Sequence, residues 1–347
     1  MLPFSFCVDE HPELRAFTSN GLGRREPLRR IVLARTIDEI LALQSRWEYL
    51  QARSPATVFQ SFHWNSTAAR IFDHEEPHVI FCETEGGMAL LPLCIDRVRN
   101  VVACLGDVLF DYRDALTIGE PDALLAAWQE VTSFDLPFSS GGLLESSRSR
   151  WAGFHLSSFY GRPVVRTADG RAGLFSKNHA RSASRLRRLE RMGVTLREYT
   201  PAEPDLLRWI YEQKAAQPPE SGANVFRDPR RIEFMIAVAK ADPHRVELSI
   251  LEFEGRCIAA LVTLRERHWR RFYTIWFAQE WATHSPGIGL IYEITRRSLE
   301  QDLNCDYMTG EQGYKMRFAT AVEPMYWVDA STDQLRSLSE SRKIVAA

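Results

Sequence analysis

"HSPGIGLIYEITRR", residues 284–297, sets two glycines one residue apart directly ahead of an amphipathic run. Ile291, Ile294 and Leu299 share one helical face, so the run reads as a helix over 289–301. Just upstream, "RRFYTIWFA" (270–278) reads as a strand. A strand, a glycine-bearing turn and a helix N-terminus bring free backbone N–H groups and the helix dipole to one point, where an anion is favoured. The stretch is not a dinucleotide fingerprint, because Tyr292 stands where a third small residue is needed. It is not a P-loop either, since no Lys-Ser/Thr follows the glycines. The expectation is a pyrophosphate approached by the backbone around Gly287, Ile288, Gly289 and Leu290, with His284 and Ser285 leading into the turn.

Downstream, "NCDYMTGEQGYKMRFA" (304–319) reads as a strand end, a turn with Gly310 and Gly313, and a short helix. It gathers Asp306, Thr309, Glu311, Tyr314 and Lys315, a set able to do acid–base chemistry beside a phosphate site.

Upstream, the chain repeats an element order. "HVIFCETEGGMALLPLCIDRV" is a hairpin signal, and a displacement of 169 positions carries Glu83, Glu85 and Gly86 onto Glu252, Glu254 and Gly255. Each half opens with a strand (29–36 and 194–200) and a helix (37–53 and 203–217), then a second helix before its hairpin. That order predicts an α+β chain of two similar domains, residues 29–175 and 194–335. An extension (1–28) and a tail (336–347) flank them, and a basic linker helix (176–193) joins them. From Lys177 to Arg197 there are seven Lys/Arg and one Asp/Glu, with Ala183, Leu186 and Leu189 on one side. The segment reads as a solvated linker or as a surface for a phosphorylated or polyanionic ligand. In the first half the stretch matching the glycine turn is "ALTIGEPDALLA", where Glu120 and Asp122 would repel an anion, so only the second half is equipped.

Other features narrow the class. Net charge is −2, which argues against bulk nucleic acid as the main partner. Six cysteines without C-x-x-C spacing, no secretory leader and no apolar run near the ~18 residues of a membrane span predict a soluble cytoplasmic protein. "HEEPH" (74–78) has the spacing of a zinc motif, but Pro77 would break the helix that motif needs, and no metal is expected.

These residues resemble the GNAT superfamily of acyl-CoA N-acyltransferases. The nearest likeness is the CelD-type group, named for a cellulose-biosynthesis protein, whose members look like tandem GNAT folds akin to the FemAB peptidyltransferases. Gly287 and Gly289 match the Gln/Arg-x-x-Gly-x-Gly/Ala signature, with His284 in place of Gln/Arg. Ser285, Pro286 and Gly287 match the group's Ser-Pro-Gly turn. Asp306, Gly310, Tyr314, Lys315 and Phe318 match its Asp-x-x-x-Gly…Tyr-Lys-x-x-Phe segment. The resemblance implies two tandem GNAT-like domains, each a mixed, mostly antiparallel sheet flanked by helices. It implies acetyl-CoA or another acyl-CoA as substrate, its pyrophosphate at the turn and its thioester carbonyl polarised by backbone near Phe277 and Ala278. An amine, such as an amino sugar or polysaccharide precursor, would attack directly. Tyr314 would be the proton donor, Glu311 or Asp306 the base, and Lys315 an oxyanion or phosphate contact. Two other readings stand beside it: FemAB-like aminoacyl transfer from tRNA, favoured by the basic 177–197 stretch, and a non-catalytic scaffold, favoured by His284 and the unequipped first half.

Overall fold

Local capping chemistry sets the helix starts. Thr36 and Glu39 form a reciprocal capping box at the head of α1 (Ile37–Ala42). The run predicted as one helix is interrupted at Leu43, where α2 (Gln44–Arg53) begins, and α3 (Phe62–Ile71) is capped by Ser61. After α4 (Asp122–Val131) comes the basic α5 (Lys177–Arg191). Glu203 caps α6 (Pro204–Ala216) and Asp228 caps α7 (Pro229–Ala241), each with proline in the first turn, where its missing N–H costs nothing. α8 (Pro286–Glu300) and the short α9 (Gly313–Met316) follow. The computed structural model describes residues 29–151, 153–169, 177–218 and 224–337. The predicted extension 1–28 and residues 338–347 of the predicted tail lie outside the described residues.

The strands form two mixed sheets, as the α+β reading expects. The first contains β1 (Arg30–Ala34), β2 (Glu75–Glu83), β3 (Gly87–Asp96), β4 (Val101–Cys104), β5 (Leu116–Gly119), β6 (Phe138–Leu144) and β7 (Leu156–Ser158). The second contains β8 (Arg162–Val165), β9 (Thr195–Tyr199), β10 (Val246–Phe253), β11 (Arg256–Arg265), β12 (Trp269–Phe277), β13 (Asn304–Asp306) and β14 (Ala321–Glu323). The last strand, β15 (Met325–Ala330), returns to the first sheet between β6 and β7. Among the described residues all pairings are antiparallel except β4–β6 and β12–β13. Each sheet thus holds a strand from the other half of the chain: β8 sits between β13 and β14, and β15 closes against β6.

Both predicted hairpins form, but their turns differ. Glu254 (φ 49°) and Gly255 (φ 74°) take left-handed conformations in a tight two-residue turn between β10 and β11, whereas Gly86 is not left-handed in the longer β2–β3 turn. "HEEPH" lies at the start of β2, and the buried Glu75 accepts the Gly106 N–H at 2.7 Å. One core cluster crosses the lobe boundary: Trp64 and Phe110 of the first half pack on Phe234 of α7 with ring centroids 5.3 and 5.9 Å away. No helix among the described residues is long and apolar enough to cross a membrane.

Candidate active site

β12 and β13 run side by side only from Trp269 to Arg271 and Asn304 to Asp306. Beyond that point the outer edge of β12 has no strand partner among the described residues. Ala278 donates to Ile258 O on β11 at 2.9 Å, so alternation turns the polar groups of Ile275 and Phe277 to the open edge. Two side chains of α6 and its C-cap occupy that edge. Lys214 Nζ donates to Ile275 O at 3.1 Å and Gln217 Nε2 to Phe277 O at 3.0 Å.

A helix N-terminus forms here, but it starts at Pro286 and not at the predicted 289, so both glycines lie within the first turn of α8, behind Ser285 in a left-handed conformation (φ 52°). The helical ladder begins where Gly289 N–H donates to Ser285 O at 3.2 Å, leaving the Gly287 and Ile288 amides ahead of it. The α-carbons of both glycines, however, face protein. A Cβ on Gly287 would lie 3.5 Å from Ile275 and Phe277, and one on Gly289 would lie 3.7 Å from Leu186 of α5. What these residues approach most closely is β12 and the basic helix. Because 3.7 Å is ordinary van der Waals contact, Gly289→Ala is expected to raise stability by up to ~1 kcal/mol through helix propensity. Thermal denaturation checks this, and a fall in midpoint would show that the α5–α8 contact is tighter than its geometry implies.

α5 runs antiparallel to α8. Leu186 faces Gly289, while the earlier His179 ring lies 6.1 Å from the later Tyr292 ring. Counted from the Leu186–Gly289 contact, the last turn of α5 lies beside the N-terminus of α8 and ends just past it. Leu186 and Leu189 are buried, and Arg181, Arg187, Arg188 and Arg191 are exposed. None of these four arginines has a carboxylate partner among the described residues.

Of the predicted acid–base set, Asp306 is taken up by an ion-pair network, whereas Glu311 and Tyr314 stay at least partly exposed. Asp306 is fully buried. It pairs with Arg271, sits 3.3 Å from Arg162 and accepts from Tyr112 Oη and Met308 N, each at 2.8 Å. Burial alone would raise its carboxyl, but the Arg162 and Arg271 guanidiniums, the Met308 amide and the Tyr112 hydroxyl outweigh that and hold it below the usual carboxylate range. Glu266 takes the other side of Arg271 and also accepts Val58 N–H at 2.6 Å, so this network ties the lobes together. Lys315 is buried and donates to Thr309 O at 2.6 Å. Burial pushes its ammonium down, against the pull of Asp111 and Asp306. Asp111, which the sequence reading missed, has its carboxyl raised by burial despite hydrogen bonding to Thr309 and the charge of Lys315. Asp111 and Thr309 line a cavity of about 520 Å³ between the lobes. Nothing local in "FDYRDA" marks Asp111, which reaches the site only through lobe packing. Glu311 is exposed, and Tyr314 is half-buried against the core of the second sheet.

Phe277 and Ala278 line a larger cavity of about 850 Å³ at the tip of the β10–β11 hairpin. His284 packs against Trp281 with centroids 5.4 Å apart, and its buried Nδ1 has no hydrogen-bond partner among the described residues. Among the described residues no group of three or more His, Cys, Asp or Glu side chains could hold a metal.

Residues 176–316 match the family model described as an acetyltransferase (GNAT) domain. No curated protein matches the sequence. Among solved structures, the C-terminal domain of a putative lysylphosphatidylglycerol synthetase from Agrobacterium fabrum is 13% identical with a TM-score of 0.57, covering 87% of this chain and 96% of that one. L-PGS from Bacillus licheniformis is 13% identical with a TM-score of 0.56, covering 87% and 94%. FemX is 9% identical with a TM-score of 0.55, covering 85% and 98%. The chain therefore carries a GNAT-superfamily-like acyltransferase fold, the family match lying in its second half.

Proposed function

We propose that this protein transfers an acyl group, carried as an ester on the end of a tRNA-like polyanion, to an amine. The supporting observation is the row of exposed arginines on α5, without carboxylate partners among the described residues, which leads to the N-terminus of α8 beside the end of β12. A single pyrophosphate needs one or two cations, whereas a row along a 15-residue helix suits a run of phosphodiesters. The fold shared with a lysylphosphatidylglycerol synthetase and FemX is compatible with aminoacyl transfer, although the arginines are what support it. The reading differs from acyl-CoA dependence in its carrier, not in its attack. The amine nitrogen bonds to the acyl carbonyl carbon, the bond to the carrier's ribose oxygen breaks, the amine loses a proton and the departing oxygen gains one.

Acyl-CoA remains the second reading, favoured by the Gly287 and Ile288 amides at the head of α8 and by the GNAT match. Against it, a pantetheine arm pairing with β12 would have to displace Lys214 and Gln217 from the strand edge. Filter binding of tRNA at two salt concentrations, beside a thermal shift with CoA, separates the two. Salt-sensitive tRNA retention without a CoA shift is expected; a CoA shift with no tRNA retention would replace this reading by the second.

Tyr314 is proposed as proton donor to the departing oxygen, Glu311 as the base and Lys315 as an oxyanion contact. Asp306, its oxygens already engaged, is assigned to positioning instead. Tyr314→Phe is expected to lower turnover about tenfold, since water can also protonate an alkoxide leaving group. Unchanged turnover across pH would remove Tyr314 from the mechanism.

A further inference from the structure

The 850 Å³ cavity at the tip of the β10–β11 hairpin is walled by indoles. Trp209 and Trp276 meet nearly at right angles with centroids 5.2 Å apart. On the other side Phe253 and Trp281 are tilted at 60° with centroids 5.1 Å apart. Two exposed carboxylates, Glu254 and Glu280, stand at the rim, and neither has a basic partner among the described residues. The left-handed turn at Glu254 and Gly255 carries the first of them, and the turn after β12 carries the second. They outnumber the one basic residue of the lining, Arg256. Aromatic faces present negative charge to a ligand, and carboxylates add to it, so the lining as a whole is matched to an organic cation.

We infer that this cavity binds an ammonium-bearing substrate, most directly the acceptor amine in its protonated form. Its inner wall includes Phe277 and Ala278, so a ligand seated among the tryptophans lies beside the strand end where the acyl carbonyl is proposed to sit. The class of acceptor rests on the transfer reading above; the cation selectivity of the cavity does not. An amine held here as ammonium must lose a proton before it attacks, which places the base outside the tryptophan wall. A neutral sugar also stacks on indoles and donates hydroxyl hydrogen bonds to carboxylates, but it leaves their charge uncompensated, which an ammonium does not.

The test uses the full chain without any acyl donor. Intrinsic tryptophan fluorescence is titrated with 1,5-diaminopentane and, at matched ionic strength, with 1,5-pentanediol. Saturable binding of the diamine at least tenfold tighter than the diol is expected. Trp209→Ala and Glu280→Gln, both at exposed positions, should each weaken the diamine at least fivefold while leaving the melting temperature in place. No saturation with the diamine, equal binding of the diol, or variants indistinguishable from the parent would overturn the proposal. Because tRNA retention is read separately, loss of the carrier reading leaves this result interpretable, and the reverse also holds.

Discussion

Replacing Asp306 by Ala is expected to cost about 3–5 kcal/mol of unfolding free energy, the range for removing one member of a buried ion pair. The side chains of Asp306 and Arg271 are 0% and 2% exposed, and that of Arg162 is 6% exposed, so water cannot replace the lost carboxylate. Glu266 and Glu323 still compensate the two arginines in part, which places the expectation toward the lower end. Tyr112 also loses its acceptor, and with it a link between the lobes. The sequence reading of Asp306 as a base predicts the opposite pattern, normal stability with lost turnover. Urea denaturation decides: a change under ~1 kcal/mol would remove the structural role. Acid gives a second test. A folded carboxyl below its unfolded value of ~3.9 stabilises fully above that pH and progressively less as pH falls through the folded value. The gap between the parent and Asp306→Asn should therefore be widest near neutrality and shrink below pH ~4.

The strand–turn–helix at 270–300 was legible because each part has a local cause: a strand run, Pro286 and the glycines at a turn, and isoleucines on one helical face. The tandem order was legible for the same reason, through paired helix and hairpin signals. What sequence could not show is which sheet a short strand joins. "RPVV" and "MYWVDA" look alike as apolar strands, yet β8 and β15 cross to the sheet of the other half. In sequence Asp306 reads as a polar group placed for chemistry, because its two guanidinium partners come from strands 35 and 144 residues away. The tryptophan cavity is invisible in sequence for a similar reason: Trp209, Trp276 and Trp281 come from α6, from β12 and from the turn after β12, and each reads alone as core.

The triple substitution Arg187→Ala, Arg188→Ala and Arg191→Ala is expected to weaken tRNA retention about a hundredfold at ~0.1 M salt. Each phosphate contact to a single strand contributes about 0.7 to the logarithmic salt slope, so three contacts contribute about 2. A slope change of 2 is worth two decades at ~0.1 M and vanishes near 1 M, which distinguishes lost ionic contacts from a damaged fold. The folded state should not suffer. These arginines are exposed, have no carboxylate partners among the described residues, and repel one another at helical spacings of three and four. Alanine is also the better helix former, so the melting temperature should hold or rise. A helix that keeps unpaired like charges against its own stability has a reason to do so if a polyanion lies along it. If the triple variant retains tRNA with an unchanged salt slope, the row is a solvated linker face. The Gly287 and Ile288 amides would then be left to hold a single pyrophosphate.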